Sequence, residues 1–285
     1  MKILLLGAKG QLGQDLQRTK PEGIDLLPLG RKELDVTCAS EVMKVVTELR
    51  PSVIINATAY VKVDQAEIES EQAFLVNTVA LKYLSQAAQE TGAVLVHFST
   101  DYVFDGQKLK LKEPYLESDL PNPINIYGLS KWAGELVLRN YWPKHYLFRV
   151  ASLYGVAGAS GKGGNFVYTI LKKARTGEPL KVVADIFMSP TYTLDVAQMV
   201  WKVLKEAPPF GLYHLTNQGS CSWYQFAQEI LTLAGLKTKI EPVDHTQYPA
   251  RARRPLWSPL SSERGLLLRP WPEALKAFLK EIGAC

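Results

Sequence analysis

The chain has 285 residues and carries 33 Lys and Arg against 28 Asp and Glu, a formal charge of +5. With 47% hydrophobic and 21% charged residues it has the composition of an ordinary globular protein, which excludes disorder, collagen-like repeats and a disulfide scaffold. The mildly positive balance, with acids spread throughout, favours a small anionic ligand over nucleic acid. No apolar run approaches the ~18 residues of a membrane helix, and Met1–Leu6 meets Gly7 too soon for a secretory leader. Cys38, Cys221 and Cys285 are an odd, scattered set without metal-ligand spacing, as in a reducing cytoplasm, so a soluble intracellular protein is expected.

In chain order, Lys2–Leu6 is an apolar run ending in glycine, and Gln11–Arg18 follows with apolar residues at helical spacing. Asp25–Leu29, Val53–Ala57 and Val94–Ser99 are further runs of the length of buried parallel strands. Between them Ala39–Leu49 and Glu71–Glu90 are rich in helix formers. Tyr127–Arg139 reads as a helix and Tyr146–Ala151 as a strand. This alternation predicts an α/β fold, a Rossmann-like doubly wound parallel sheet over residues 1–150. Gly155–Gly164 holds five glycines and is expected to be a mobile loop. Leu180–Val183 and Leu194–Lys205 read as a return to the sheet, so 180–206 is assigned to the first domain. Residues 151–179 and 207–285 are assigned to a smaller C-terminal α/β substrate-binding domain, with a strand at Gly211–Thr216 and a helix at Trp223–Ala234. Pro249–Pro259 is proline-rich and basic.

Gly7, Gly10 and Gly13 stand between the first strand and the first helix, with Gln11 and Leu12 inside the turn. Glycines there permit a tight turn, close approach of the backbone to a pyrophosphate and close helix–strand packing, while the helix N-terminus offers amide donors. The second strand runs into Gly30-Arg31-Lys32; a basic residue there, and not an acid, favours a 2′-phosphate, hence NADP(H) over NAD(H). Asp35 is a candidate adenine-side contact or a helix cap.

Tyr127 and Lys131 stand at i and i+4 on one helix face, where the ammonium would lower the phenol's pKa and fit it for proton transfer to a substrate oxygen. Tyr168 and Lys172 share the spacing but read as an ordinary helix face. Ser99 and Thr100 fall at the carboxyl end of a strand, where open parallel sheets bind ligands, so Thr100 can hydrogen-bond a reacting carbonyl. His97, His145, His214 and His245 are dispersed and read as structural.

The glycine turn, Thr100 and the Tyr127/Lys131 pair together resemble the extended short-chain dehydrogenase/reductase superfamily. Asn56–Asp64, Ser99–Gly106, Pro123–Lys131, Gly164–Phe166, Asp185–Thr191, Gly211–Leu215 and Ala252–Pro255 are similar to strings of the dTDP-4-dehydrorhamnose reductase family, from residue 1 to about 260. That resemblance implies NADPH- or NADH-dependent reduction of the 4-keto group of dTDP-6-deoxy-L-lyxo-4-hexulose to dTDP-L-rhamnose, for cell-surface polysaccharide. Carried over, Thr100 orients the keto oxygen, Tyr127 donates the proton, and Lys131 holds the nicotinamide ribose and tunes Tyr127. Ala57, Thr58, Ala59, Tyr60 and Ser99 line the cofactor groove; Asn77 lies near the substrate or catalytic region; Asp101, Tyr102, Val103, Leu153, Asn165, Phe166 and Arg253 fall on the substrate side.

Three positions depart from the family. Leu153 stands where Trp is common, which leaves a different 4-keto sugar open, and Trp257 stands where Asn is common. Some relatives hold Mg²⁺ at a dimer interface through an acid on the first helix, where Asp15 is found here. Mg²⁺ and a homodimer are therefore expectations, with a first-turn acid favoured by the helix dipole as the alternative. Relatives that act as regulatory partners of methionine adenosyltransferase leave a non-catalytic subunit as a further alternative.

Overall fold

The computed structural model describes residues 1–158, 164–248 and 250–285. Residues 159–163 of the expected mobile loop, and Pro249 of the basic segment, lie outside the described residues. The chain begins β1 (Lys2–Leu6), α1 (Gln11–Arg18), β2 (Asp25–Leu29), α2 (Ala39–Leu49) and β3 (Val53–Asn56). It continues through two short helices, α3 (Val63–Ala66) and α4 (Ser70–Phe74), a π-helical turn (Leu75–Val79), α5 (Ala80–Thr91) and β4 (Val94–Thr100). After two 3₁₀ turns come α6 (Ile126–Tyr141), β5 (His145–Val150), β6 (Leu153–Tyr154), α7 (Phe166–Thr176), β7 (Leu180–Val183), β8 (Phe187–Met188), β9 (Thr191–Tyr192) and α8 (Thr193–Glu206). The chain then forms β10 (Gly211–His214), β11 (Cys221–Ser222), α9 (Trp223–Leu233), β12 (Ile240–Val243) and α10 (Trp271–Glu281).

Six strands form one parallel sheet in the order β10-β5-β4-β3-β1-β2. Its central strands are buried on both faces, which is why they read as unbroken apolar runs. Alternate residues serve opposite layers. Ile3, Leu5, Ile55, Val96 and Phe148 pack under α1 and α8 through Leu12, Leu16, Val196 and Val200. Leu4, Leu6, Ile54, Leu95 and Leu147 pack under α2, α5 and α6 through Val42, Val46, Leu81, Leu84 and Leu138. The chain reverses direction across the sheet between β1 and β3, so the carboxyl ends of these two strands flank a crevice, the usual ligand position in such sheets.

A separate core joins α7, α9 and α10 around Ile170, Phe226, Ile230, Leu275 and Phe278, with Tyr154 and Tyr192 stacked at 5.6 Å. Two expectations need correction here. β7 does not return to the large sheet but pairs with β12, and its Leu180 and Val182 pack in this second core. Only α8 of residues 180–206 covers the sheet. Conversely, β10 does not belong to the smaller unit: it pairs with β5 at the sheet's edge, where Tyr213 packs against Tyr146 and Phe148. The stretch Glu71–Glu90, expected as one helix, is interrupted by the π turn around Asn77. Among the described residues no helix is long and apolar enough to cross a membrane.

Candidate functional site

The groove begins where β1 ends. Gly7 has φ +77°, and a Cβ there would lie 2.6 Å from the Ala57 carbonyl oxygen at the end of β3. At Gly13 a Cβ would run into the Gly7 carbonyl, so this glycine lets α1 pack directly on the turn. Gly10 caps α1 without any side-chain acceptor, and no acid stands in the first turn, leaving the helix's first amide donors uncapped. The Leu12 side chain belongs to the core, so only its main chain can serve the turn. Gln11 Nε2 donates to the Leu153 carbonyl at 3.3 Å, but its Oε1 is buried without a partner, as is the Ser99 hydroxyl. An uncapped helix start and two orphaned polar atoms, one in its first turn and one at the carboxyl end of β4, suit a phosphate- and amide-bearing cofactor.

Arg31 is exposed, with Asp35 4.0 Å away. Asp35 accepts from the Thr37 N–H (2.9 Å) and hydroxyl (2.7 Å), bonds that hold its carboxyl below the usual value. This is an Asx turn before α2. On the other rim, Asn56 Oδ1 accepts from the Thr58 N–H (3.1 Å) and hydroxyl (2.6 Å). The Tyr60 N–H donates to Asn77 Oδ1 at 2.9 Å, and its phenol to Glu69 at 2.6 Å. Asn77 also donates to the Ser130 hydroxyl at 2.9 Å, so the π turn ties the Ala57–Tyr60 loop to α6. Asn77 is thus a brace behind the site.

Thr100 closes β4 and Tyr127 opens α6, whose N-cap Asn125 accepts from the Gly128 N–H at 2.7 Å. A Cβ on Gly128 would collide with the Tyr102 carbonyl, so glycine there brings the first turn of α6 against Thr100–Val103. Burial pushes Tyr127 up to about 12, against an opposing effect of the neighbouring Thr100 hydroxyl. This corrects the expected lowering by Lys131. The Lys131 side chain is fully buried and directed into the sheet, with Nζ donating to the Phe98 carbonyl at 2.5 Å and 3.2 Å from His97 Nε2. Burial lowers Lys131 to about 8, against the pull of Glu135. Thr100 also donates to Asp101 Oδ1 at 3.1 Å, while Ser258 donates to Asp101 Oδ2 at 2.6 Å. Burial raises this carboxyl to about 6.

Tyr102 meets Tyr127 edge-on at 5.9 Å and lies in the field of the Arg254 guanidinium. Arg254 with Arg253 leads into a cavity of about 680 Å³, also lined by Phe166, Lys173, Trp223 and His245. Phe166 and Trp223 stand 4.7 Å apart on its wall, and both also pack against the second core. Lys173, Trp223 and His245 were missed, because helix-face spacing says nothing of which face meets a cavity. The His245 ring bonds Asp185 at 2.6 Å, which raises its pKa. Two expected substrate contacts are corrected. Asn165 spends its amide on the fold, capping α7 at Tyr168 N and donating to the Gly155 carbonyl at 2.9 Å. Val103 is fully buried against Phe104, Tyr115 and Trp257. Leu153 is half-buried in β6, and Trp257 is a buried strut that donates to the Glu113 carbonyl at 2.7 Å.

Asp15 does not fit a metal ion. It is 2% exposed, accepts from the Thr193 hydroxyl and is paired with Arg18, which also binds Glu281. A guanidinium already neutralises this acid and would repel a dication. Among the described residues the one cluster with metal-ligand groups is Asp185, Asp244 and His245, which does not include Asp15.

The parallel sheet and its glycine turn define a Rossmann-type fold of the kind that binds dinucleotides. The family model described as RmlD substrate binding domain matches residues 1–284, and the chain belongs to that family. It is 37% identical to the Escherichia coli K12 dTDP-4-dehydrorhamnose reductase over 99% of this chain and 98% of the relative. It is 39% identical to the Bacillus subtilis spore coat polysaccharide biosynthesis protein SpsK, over 98% and 97%. The crystal structure of dTDP-4-dehydrorhamnose reductase from Bacillus anthracis in complex with NADP superposes with a TM-score of 0.92 at 40% identity, covering 98% of this chain and 99% of that one. A Thermus thermophilus UDP-glucose 4-epimerase shares the fold at TM-score 0.82 and 18% identity.

Proposed function

We propose that this chain reduces the 4-keto group of dTDP-4-dehydrorhamnose to give dTDP-L-rhamnose with NADPH, as the relatives' names and the NADP-bound neighbour support. The observation that supports this reading most is that the first turn of α6, which carries Tyr127, packs on Thr100–Val103 at the end of β4, where Tyr102 meets the Tyr127 ring, while Arg253 and Arg254 line the cavity.

The uncapped start of α1, Gln11, Ser99 and the Ala57–Tyr60 rim would hold the cofactor, and Arg31 would offer its charge to a 2′-phosphate. When bound, it supplies hydride to sugar C4. Arg253 and Arg254, with the Phe166 and Trp223 rings, hold the nucleoside diphosphate, since guanidinium forks match phosphate oxygens. Thr100 orients the keto oxygen. Tyr127, kept protonated by burial, gives its proton to that oxygen as negative charge develops there, and Lys131 stabilises the phenolate left behind. A neutral phenol at rest is the form a reduction needs. The enzyme works in the cytoplasm with a nucleotide sugar as its partner. An aliphatic Leu153 keeps one second reading alive: the same chemistry on a different 4-keto-6-deoxy sugar.

The test is oxidation of NADPH, then NADH, followed at 340 nm with the 4-keto sugar nucleotide generated in place by its epimerase, and identification of the product. Substrate-dependent oxidation is expected with wild type and absent in Tyr127→Phe, which still binds nucleotide. Undiminished turnover in Tyr127→Phe overturns the mechanism.

A further inference from the structure

Helix α6 buries two charged residues on one face, Lys131 and Glu135, four positions apart and each 1% exposed. A lone buried charge is costly, and Glu135 is not alone. Arg149 of β5, also 1% exposed, donates to its two oxygens from Nε at 3.0 and 3.2 Å and from a terminal nitrogen at 2.7 Å. We propose that Glu135 is a positioning residue of the reductase site, the fixed counter-charge that Arg149 holds one helical turn from the Lys131 ammonium.

Stability does not account for the pair. Replacing a buried ion pair by apolar side chains of similar size is often neutral or stabilising, whereas removing one partner is costly. The neighbouring positions are apolar: Leu138 comes next along the buried face of α6, and Leu147 shares the face of Arg149 on β5. An apolar side chain at 135 would lack only the negative charge, in a place where burial works against an ammonium.

The guanidinium is itself held from behind. Its other terminal nitrogen is 3.4 Å from His214 Nε2, and its carbon lies over the Phe104 ring, 5.1 Å from the centroid. His214 Nδ1 faces two carbonyls, Ser261 at 2.9 Å and Tyr115 at 3.0 Å, so Nδ1 carries the hydrogen and Nε2 accepts. Burial and Arg149 push the His214 pKa down, which keeps that ring neutral. Arg149 thus has partners on all three nitrogens, and Glu135 is fixed from the sheet.

Lys131 is faced from β4 by the Phe98 carbonyl and by the His97 ring, which burial keeps neutral. Its own helix carries Tyr127 one turn before it and Glu135 one turn after. The π turn packed on α6 offers the uncharged Asn77 and Thr78, both bonded to Ser130. Asp101 acts on Tyr127, and Glu67 accepts from the Ile126 N–H at the start of α6. Glu135 is therefore the carboxylate whose field sustains the ammonium that proton transfer from Tyr127 needs.

This inference rests on the reductase reading, so its first test needs no turnover. In the full chain with ¹³C at lysine Cε, the Lys131 resonance, recognised by its loss in Lys131→Arg, is expected to titrate near 8. The double variant Glu135→Leu/Arg149→Met removes the pair without stranding a charge and should melt close to wild type. Its Lys131 should titrate lower by about one pH unit or more. The second test is the pH profile of kcat. The basic limb should move to lower pH by the same amount in the double variant, with KM for the sugar nucleotide nearly unchanged. Glu135→Asp keeps the charge and shortens the reach, so it should lower the melting temperature yet keep the limb near 8. An unmoved Lys131 titration or limb in the double variant overturns the proposal, as does a double variant that fails to fold. A limb displaced as far in Glu135→Asp as in the double variant also overturns it. A lysine shift as expected in a chain whose wild type shows no turnover tells against the reductase reading alone.

Discussion

At the residue scale the site is governed by desolvation. Tyr127 and Lys131 are pushed in opposite directions by the same burial, to about 12 and about 8, so both are protonated near neutrality and the lysine titrates first. As pH rises through about 8 the ammonium that would stabilise the Tyr127 phenolate is lost, and kcat should decline with it. Lys131→Arg replaces the titrating group by one that stays charged. Whatever activity that variant retains, its kcat should lack the limb near 8; a limb that persists unchanged belongs to another group. The pair itself was legible from spacing plus the upstream Thr100, because strand ends and helix faces are local properties. The sign of the Tyr127 shift was not legible, since it depends on how many atoms exclude water. Asn165 was misplaced for a related reason: an asparagine before a helix serves a ligand or the helix's own N–H groups, and only coordinates show that Tyr168 N takes it.

At the scale of elements, α6 carries the chemistry and is held by contacts that need glycine. A Cβ at Gly134 would collide with the Asn77 carbonyl of the π turn, as one at Gly128 would with Tyr102. Helix propensity alone favours Gly134→Ala by about 1 kcal/mol. Overpacking opposes it by about 1–3 kcal/mol, and the contact here is with backbone, which cannot swing aside. Overpacking should win, so Gly134→Ala is expected to lower the urea midpoint and slow kcat by displacing α6. A more stable variant with normal kcat would mean the π turn yields easily. The break in α4–α5 was invisible in the sequence, where helix formers run without interruption. Its signal was Asn77, a polar residue on the buried face of an otherwise amphipathic segment. The strands of the large sheet, by contrast, were readable almost to the residue, because burial on both faces leaves an unbroken apolar run. The partner of each strand was not: β7 and β10 are alike in length and apolarity, and their opposite destinations are decided by distant neighbours.

At the scale of the whole molecule, the crevice between the large sheet and the second core is closed by a few polar links from opposite sides. Asn125 donates to the Arg253 carbonyl at 2.8 Å, Ser258 to Asp101, and Arg254 pairs with Asp64 at 2.7 Å, while the Ala252 N–H donates to the same carboxylate at 3.0 Å. Asp64 follows the cofactor rim and Arg254 lines the substrate cavity, so this pair couples the two halves of the site. The Arg254 hydrogen bond holds Asp64 down to about 2. A depressed carboxyl contributes stability above its unfolded value near ~4 and loses it as pH falls toward 2. Because Asp64 is about half exposed, solvent screening limits the pair to roughly 1 kcal/mol or less of stability. Its larger effect is on the shape of the cavity wall. Asp64→Asn should therefore leave the melting temperature nearly unchanged and raise KM for the sugar nucleotide several-fold, with little change in kcat. Arg254→Ala should raise KM further, since it also removes a phosphate ligand. In the double variant the cost of losing Asp64 should vanish, because there is no guanidinium left to place. Strict additivity would mean that Asp64 and Arg254 act on the substrate independently, with the two halves of the crevice coupled through the other links, those of Ala252, Asn125 and Ser258.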